Sequence, residues 1–333
     1  MRNSKIVGLG RYLPEKVVTN DDLAQMMDTS DEWIRERSGI QQRRFFELGK
    51  DTTSNMGTRA ARMALENAGL TPDDVDFIIF ATLSPDYDFP GCGVLVQREL
   101  GIKEVGALDV RTQCTGFVYG VSVADNFIKS GMYDTVLVIG SEIHSSGLDL
   151  TTRGRAVSVL FGDGAGAAVL QATDEEDKGI LSTHLHSQGE YAEELATLDV
   201  GSSRSVPRIT KEMIDEGTIF PVMNGNHVFK HASKRFPEVI MEALSTNGYE
   251  PKDIDLLVPH QANLRISQMV QKLLRLSDDQ VFNNIMHYGN TTAASIPIAM
   301  SEAWEQGKIK DDDLVCLAAF GSGFTWGSAL IRW

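Results

Sequence analysis

The stretch NAGLTPDDVDFIIFATLSPD, Asn67 to Asp86, has a counterpart much later in the chain, TNGYEPKDIDLLVPHQANLR, Thr246 to Arg265. Each carries a glycine helix stop, a Pro-x-Asp turn, and then Val-Asp or Ile-Asp leading into an apolar strand. Asp76 falls on Asp255, a displacement of 179 residues. A helical pattern precedes each copy, TRAARMALENAGL in one and FPEVIMEALSTNGY in the other. Further on, KSGMYDTVLVIGS resembles EQGKIKDDDLVCLAAFGS, with Gly131 over Gly307 at a displacement of 176. Strands alternating with helices in two copies predict a duplicated α/β protein, its parallel sheets covered by helices. The division expected is 1–172 and 173–333.

The repeat gives meaning to a second stretch, RTQCTGFVYGVSVADNFIKSG, Arg111 to Gly131. Phe117, Val121, Ala124 and Ile128 recur at spacings of three and four, which predicts an amphipathic helix ending at Gly131. VGALDV before it reads as a short buried strand. Cys114 then sits on a strand-to-helix turn at the positive end of a helix dipole, where a thiol pKa falls. Against this stands the ordinary role of cysteine as a small inert core residue. Carrying Cys114 forward by 176 lands on Asn290, in HYGNTTAASIPIAMSEAWEQG, again a turn, a small-residue helix and a glycine stop. His260, in LVPHQAN, lies at the end of the Asp255 strand. Ligands in parallel α/β sheets collect beyond the carboxyl ends of strands, so Cys114, His260 and Asn290 are expected to converge on one cleft. A lone histidine at a strand end is more often structural; three such groups are not.

Composition limits the rest. The 333 residues are 42% hydrophobic and 23% charged, an ordinary globular balance with ample sequence for a core. No apolar run is long enough to span a membrane, and the N-terminal MRNSKIVGLGRYLPEKVVTN lacks the apolar region of a signal peptide. The three cysteines, Cys92, Cys114 and Cys316, are odd in number and widely spaced, which predicts neither a disulfide framework nor a zinc site. A cytoplasmic protein is expected. A net charge of −15 argues against nucleic-acid binding. It also disfavours an acidic protein partner unless basic residues gather locally. Lys230, Lys234, Arg235, Arg265, Lys272 and Arg275 are candidates for that patch, and equally for plain solvated helix charge.

Two chemistries use a Cys, a His and an Asn. In a cysteine hydrolase, His is the general base and Asn orients it. The interval from Cys114 to His260 is compatible with that, but the sequence around Cys114 and the duplication are not those of papain. In a condensing enzyme, Cys takes an acyl group from a thioester. His and Asn then donate hydrogen bonds to the carbonyl of a second thioester as it loses CO2. That role calls for a neutral His260 with a depressed pKa, and for no metal. A binding module for acyl-CoA or carrier protein, without acyl transfer, is a third reading.

CTGF, GRAVSVLFGDGAGAAVL, VPHQANLRI, YGNTTAAS and FGSGFTWGSAL fall in order along the chain. Together with GLGRYLPEKVVTN and TSDEWIRERSGI they resemble the sequence blocks of β-ketoacyl-acyl carrier protein synthase III. This is the initiating condensing enzyme of type II fatty acid synthesis. The resemblance implies a thiolase-like fold of duplicated halves in αβαβα layers, with Cys114 as nucleophile and His260 and Asn290 as its partners. It implies an acyl oxyanion hole from the N–H groups of Cys114 and Ser322, where the family commonly carries glycine in place of the serine. It further implies an adenine sandwiched by Trp33 and Arg153, a phosphate contact at Arg37, and a pantetheine tunnel lined by Gly225, Phe229 and Asn263. Phe89 is expected to reach a partner subunit's acyl pocket in a homodimer. Arg265, with Lys230 nearby, is expected to meet acyl carrier protein. Acyl-CoA enters as substrate, and no cofactor is implied. Condensation for specialised lipids with longer or unusual acyl groups is the alternative within the superfamily.

Two segments stand apart. FGDGAGAA contains a GxGxxA pattern, yet VLQATDEEDKG after it reads as strand and turn, so Gly162, Gly164 and Gly166 are expected to permit close backbone packing rather than bind a dinucleotide. Residues 187–225 read as a loop with one helix near Lys211–Glu216, longer than in housekeeping members of the family. They are expected to reshape the acyl pocket or the carrier-protein surface.

Overall fold

Asp76 and Asp255 perform the same task. The Asp76 carboxylate accepts the main-chain N–H groups of Asp134 and Thr135 at 2.9 and 2.8 Å, and that of Asp255 accepts the N–H of Leu314 at 2.7 Å. Thr135 and Leu314 are themselves 179 residues apart, so each aspartate clamps the first residue of the neighbouring parallel strand. Before each comes a capped turn, Pro72–Asp74 or Pro251–Asp253, whose aspartate accepts the N–H of Thr71 or Glu250. The repeated Pro-x-Asp signal therefore fixes where strands begin.

The computed structural model describes residues 2–333. Strands β1 (Asn3–Tyr12), β2 (Phe77–Ala81), β3 (Gly106–Val110), β4 (Thr135–Glu142) and β5 (Gly164–Thr173) form one sheet in the order β1-β5-β4-β2-β3. Strands β6 (Gly179–Ser187), β7 (Leu256–Pro259), β8 (Leu314–Gly321) and β9 (Thr325–Arg332) form a second sheet in the order β6-β9-β8-β7. The second order repeats the first, including direction: β2 runs parallel to β4 and β7 to β8, while β5 and β9 are antiparallel to both neighbours. The counterpart of β3 is reduced to a parallel bridge between Leu257 and Val281.

Helices α1 (Thr53–Ala68) and α2 (Cys92–Leu100) cover the outside of the first sheet. Helices α4 (Gly225–Thr246) and α5 (Leu264–Leu274) cover the second. Between the sheets lie α3 (Gly116–Lys129) and α6 (Ser295–Glu305), completing the αβαβα layers. Phe117, Val121, Ala124 and Ile128 of α3 are fully buried, as their spacing predicts, against Ile296, Ala299 and Met300 of α6 and residues of both sheets. Truncating a phenylalanine so placed costs about 3–5 kcal/mol. The two halves thus share one central layer. Both central helices stop at left-handed glycines, Gly131 and Gly307, with φ of +77° and +66°.

Two expectations are corrected. β3 is not a buried strand: it is the sheet edge, and each of its residues is exposed or half-buried. Nor is Asn290 the counterpart of Cys114. Gln113 and Thr292, both non-glycine residues with left-handed φ of +48° and +50°, open equivalent turns 179 residues apart, which pairs Cys114 with Ala293. The displacement of 176 holds only beyond the central helices, because α3 has 14 residues and α6 has 11.

The glycine run holds the two halves close. A Cβ on Gly162 would stand 2.2 Å from the carbonyl oxygen of Tyr288, and one on Gly166 2.6 Å from the nitrogen of Ile298. The residues after it form β5, not the helix of a dinucleotide site. Segment 187–225 forms its helix at Lys211–Glu216 as expected. It also carries a two-residue ladder of Leu195–Ala196 with Val222–Met223.

Candidate active site

Cys114 occupies the turn Gln113–Thr115 between β3 and α3 and is 6% exposed. Its room is set by Gly321 at the end of β8, where a Cβ would lie 2.5 Å from Cys114 Cβ and 2.9 Å from Sγ. The N–H groups of Ser322 and of Cys114 itself reach the sulfur. Ser322 takes no left-handed φ, so serine is accommodated there. Its hydroxyl donates to the carbonyl oxygen of Leu195 at 2.5 Å, tying the site to segment 187–225.

The expected depression of the thiol pKa does not occur. Burial pushes the Cys114 thiol up to about 12, with the nearby Glu142 adding to the rise and the two N–H groups only partly offsetting it. Removing a thiolate from water outweighs a helix start and two N–H donors. Glu142, at the end of β4, is fully buried and its pKa is raised to about 7 by that burial. It accepts the hydroxyls of Thr82 and Ser84 at 3.1 and 2.6 Å.

His260 follows β7, held by its N–H to Ala318 O at 2.8 Å. Its Nδ1 lies 2.6 Å from Ser295 Oγ, whereas its Nε2 is buried without a partner. Burial, and then the neighbouring His144, lower its pKa to about 3, so the ring is neutral, as the donor role requires. Ser295 Oγ accepts the N–H of Gln261 at 3.4 Å and can donate its own proton to His260 Nδ1; in that tautomer Nε2 bears the hydrogen.

Asn290 is anchored by its main chain, its N–H to Leu160 O at 2.8 Å and its carbonyl accepting from Gly162 N–H at 3.0 Å. The side-chain Oδ1 accepts the N–H of Thr292 at 2.9 Å, which turns Nδ2 away as a donor with no partner among the described residues. A β-branched residue at φ +50° is strained. Here it aims the N–H that orients Asn290.

One network therefore joins all three groups: the Cys114 turn packs on the Thr292 turn, Thr292 holds Asn290, and Ser295 at the start of α6 holds His260. Behind Cys114 opens a cavity of about 740 Å³, walled by Leu83, Ile143, Phe161, Leu195, Ile219 and Thr292 among others.

The remaining expected contacts divide. Trp33 lies on the helix Asp31–Ser38, with the guanidinium carbons of Arg37 and Arg155 at 4.5 and 4.9 Å from its ring centre. Arg153 pairs with Asp149 at 2.6 Å, donates to Asp215 O at 3.2 Å and faces Phe220. Asn263 caps α5 through the N–H of Arg265 at 2.9 Å and donates to Arg37 O at 2.9 Å. Arg265 Cζ is 5.8 Å from the ring of Phe229, and Gly225 begins the same helix, α4, that carries Phe229 and Lys230. In the proposed basic patch, Arg235 is already committed to Glu238 and to the Trp326 ring. Phe89 is 83% exposed.

Sequence reading missed Glu142, His144, Thr292 and Ser295. The first two lie at or just beyond the carboxyl end of β4, the same signal that singled out His260.

A buried thiol beside two backbone N–H groups, with a neutral imidazole and a carboxamide joined to the same network, suits the chemistry of a thiolase-like condensing enzyme. Descriptions of 3-oxoacyl-[acyl-carrier-protein] synthase III match residues 108–189, and those of its C-terminal part match residues 244–333. The chain belongs to the β-ketoacyl-[acyl-carrier-protein] synthase III family. It is 47% identical to such a synthase from Ehrlichia canis (strain Jake) over 332 residues, covering 100% of each chain. It is also 47% identical to one from Rhodospirillum centenum over 333 residues, covering 99% of each. The crystal structure of the enzyme from Aquifex aeolicus VF5 superposes with a TM-score of 0.90 at 42% identity, covering 99% of this chain and 100% of that one. These relatives match at equal length, so segment 187–225 is not an addition relative to them.

Proposed function

We propose that the chain transfers an acyl group from acyl-CoA to Cys114 and condenses it with malonyl-acyl carrier protein, releasing CO2 and a 3-oxoacyl thioester that initiates fatty acid synthesis. The observation that carries this reading is the pair of side-chain nitrogens without partners among the described residues, His260 Nε2 and Asn290 Nδ2, in the network linked to the Cys114 turn. In the first step the Cys114 sulfur–carbonyl bond forms, the CoA sulfur–carbonyl bond breaks, and the thiol proton passes to the departing CoA. The N–H groups of Cys114 and Ser322 stabilise the oxyanion. In the second, the malonyl carbonyl accepts from His260 and Asn290 as CO2 leaves; the resulting carbon bonds to the acyl carbonyl carbon, the Cys114 sulfur–carbonyl bond breaks, and the released thiolate takes a proton from solvent. Neither step calls for a metal or cofactor.

The same reading assigns the adenine of CoA to Trp33 and Arg153, a phosphate to Arg37, and the pantetheine arm to Gly225, Phe229 and Asn263. Arg265 and Lys230 meet the carrier protein. Phe89 enters a second subunit of a homodimer. Three buried, unpaired cysteines are what a reducing compartment preserves, which supports a cytoplasmic setting. The 1–172 half supplies the nucleophile and the 173–333 half the two donors.

The test is intact-protein mass after incubation with a panel of acyl-CoAs, for wild type and Cys114→Ala. A stable adduct that requires Cys114 is expected. Free acid released without a lasting adduct would point to a hydrolase instead.

A further inference from the structure

The cavity behind Cys114 contains a polar group that condensation does not use. His144 lies two residues beyond β4, in the cavity wall, and is 9% exposed. Its main-chain N–H donates to the buried Asp163 at 2.7 Å, its ring stacks on Phe161 with centres 4.5 Å apart, and Nε2 lies 2.5 Å from Thr292 Oγ1. The ring is thus fixed from three sides. Nδ1 has no hydrogen-bond partner among the described residues, it is not among the sealed, unsatisfied side-chain atoms, and His144 lines the cavity.

A hydrocarbon chain laid over Nδ1 would strip it of water and return nothing. An oxygen on the chain would satisfy it. Thr292 Oγ1 has no other partner among the described residues, so its hydroxyl can either donate to Nε2 or accept from it. Nδ1 is then a donor in one case and an acceptor in the other, matching an oxo or a hydroxyl group. Burial keeps the imidazole neutral, with a pKa lowered to about 3.

We infer that His144 is a specificity-determining residue that selects acyl groups bearing a hydroxyl or oxo oxygen along the chain over plain acyl groups of the same length. The inference rests on the acyl transfer to Cys114 proposed above.

The experiment measures Cys114 acylation rates by intact mass with octanoyl-CoA and with 3-, 5- and 7-hydroxyoctanoyl-CoA. It compares wild type, His144→Leu and His144→Gln. At least one hydroxylated isomer should acylate wild type about tenfold faster than octanoyl-CoA, the scale of one buried polar group left unpaired. His144→Leu should abolish or reverse that ratio, and His144→Gln, which keeps a polar end, should retain part of it. A purely structural His144 would lower all rates together and leave the ratio unchanged. That result, or a wild type that favours octanoyl-CoA over every isomer, overturns the inference while acyl transfer stands. Should no thioester acylate Cys114 in wild type, the acyltransferase reading fails and this inference with it.

Discussion

At the scale of single residues, Cys114 begins as a thiol, since burial raises its pKa to about 12. The proton must leave as the substrate carbonyl arrives, when two N–H groups gain a charge to stabilise. In the free protein, alkylation of Cys114 by iodoacetamide, followed by peptide mass, should therefore rise about tenfold per pH unit from 7 to 9, because only the thiolate reacts. No inflection is expected near 6.5, since His260 stays neutral down to about 3. A plateau between pH 7 and 9 would show the helix start prevailing over burial. Asn290→Ala should leave acyl transfer to Cys114 intact but lower condensation about 10²–10³-fold, the value of one oxyanion donor. Equal loss in both half-reactions, measured separately by mass and by CO2 release, would remove Asn290 from the role of second donor to the malonyl carbonyl. Cys114 and His260 stand out in the sequence because strand ends and helix starts mark ligand sites, whereas Asn290 is reached through a displacement that the shorter α6 changes. The thiol's pKa was not legible, because the sequence shows the helix start but not the depth of burial.

The elements are where the repeat carries most information. A displacement of 179 survives in the Pro-x-Asp turns, in the strand clamps of Asp76 and Asp255, and in the strained turns at Gln113 and Thr292. It changes to 176 only through the shorter α6, and that shift is why Asn290, rather than Ala293, looked like the partner of Cys114. The alternating pattern predicts helix-covered parallel sheets, whereas both sheets are mixed, with β5 and β9 antiparallel to both neighbours. Segment 187–225 has no such pattern, because two-residue ladders leave no periodicity to read. Its Leu195–Ala196 ladder nonetheless forms cavity wall and is pinned by Ser322. Ala196→Trp would fill the space behind Cys114. With acetyl- to decanoyl-CoA as donors, the preferred chain should shorten while acetyl transfer persists. An unchanged profile would mean that this wall does not bound the acyl group.

Across the whole molecule, one side is unfinished. β3 ends the first sheet with unpaired main-chain groups, and Leu108 on it is 38% exposed. Val94 on the adjoining α2, and Tyr87 and Phe89 in the loop before it, add exposed apolar surface at 41%, 54% and 83%. A long unprotected edge of this kind invites pairing with another chain. The cavity behind Cys114 is bounded on that side by Pro85, Asp86, Tyr87 and Arg111, so a second copy docked there would close it. The homodimer proposed above accounts for both features, and also for why VGALDV is apolar without being buried in the single chain. Sedimentation equilibrium should give twice the chain mass. Leu108→Lys places a charge on the edge, where lysine opposes strand pairing. It should yield a monomer with native circular dichroism but little condensation, its rate recovering as protein concentration rises. A wild-type chain that sediments as a monomer at full activity would show that the cavity is complete without a partner, and Phe89 would then need another role.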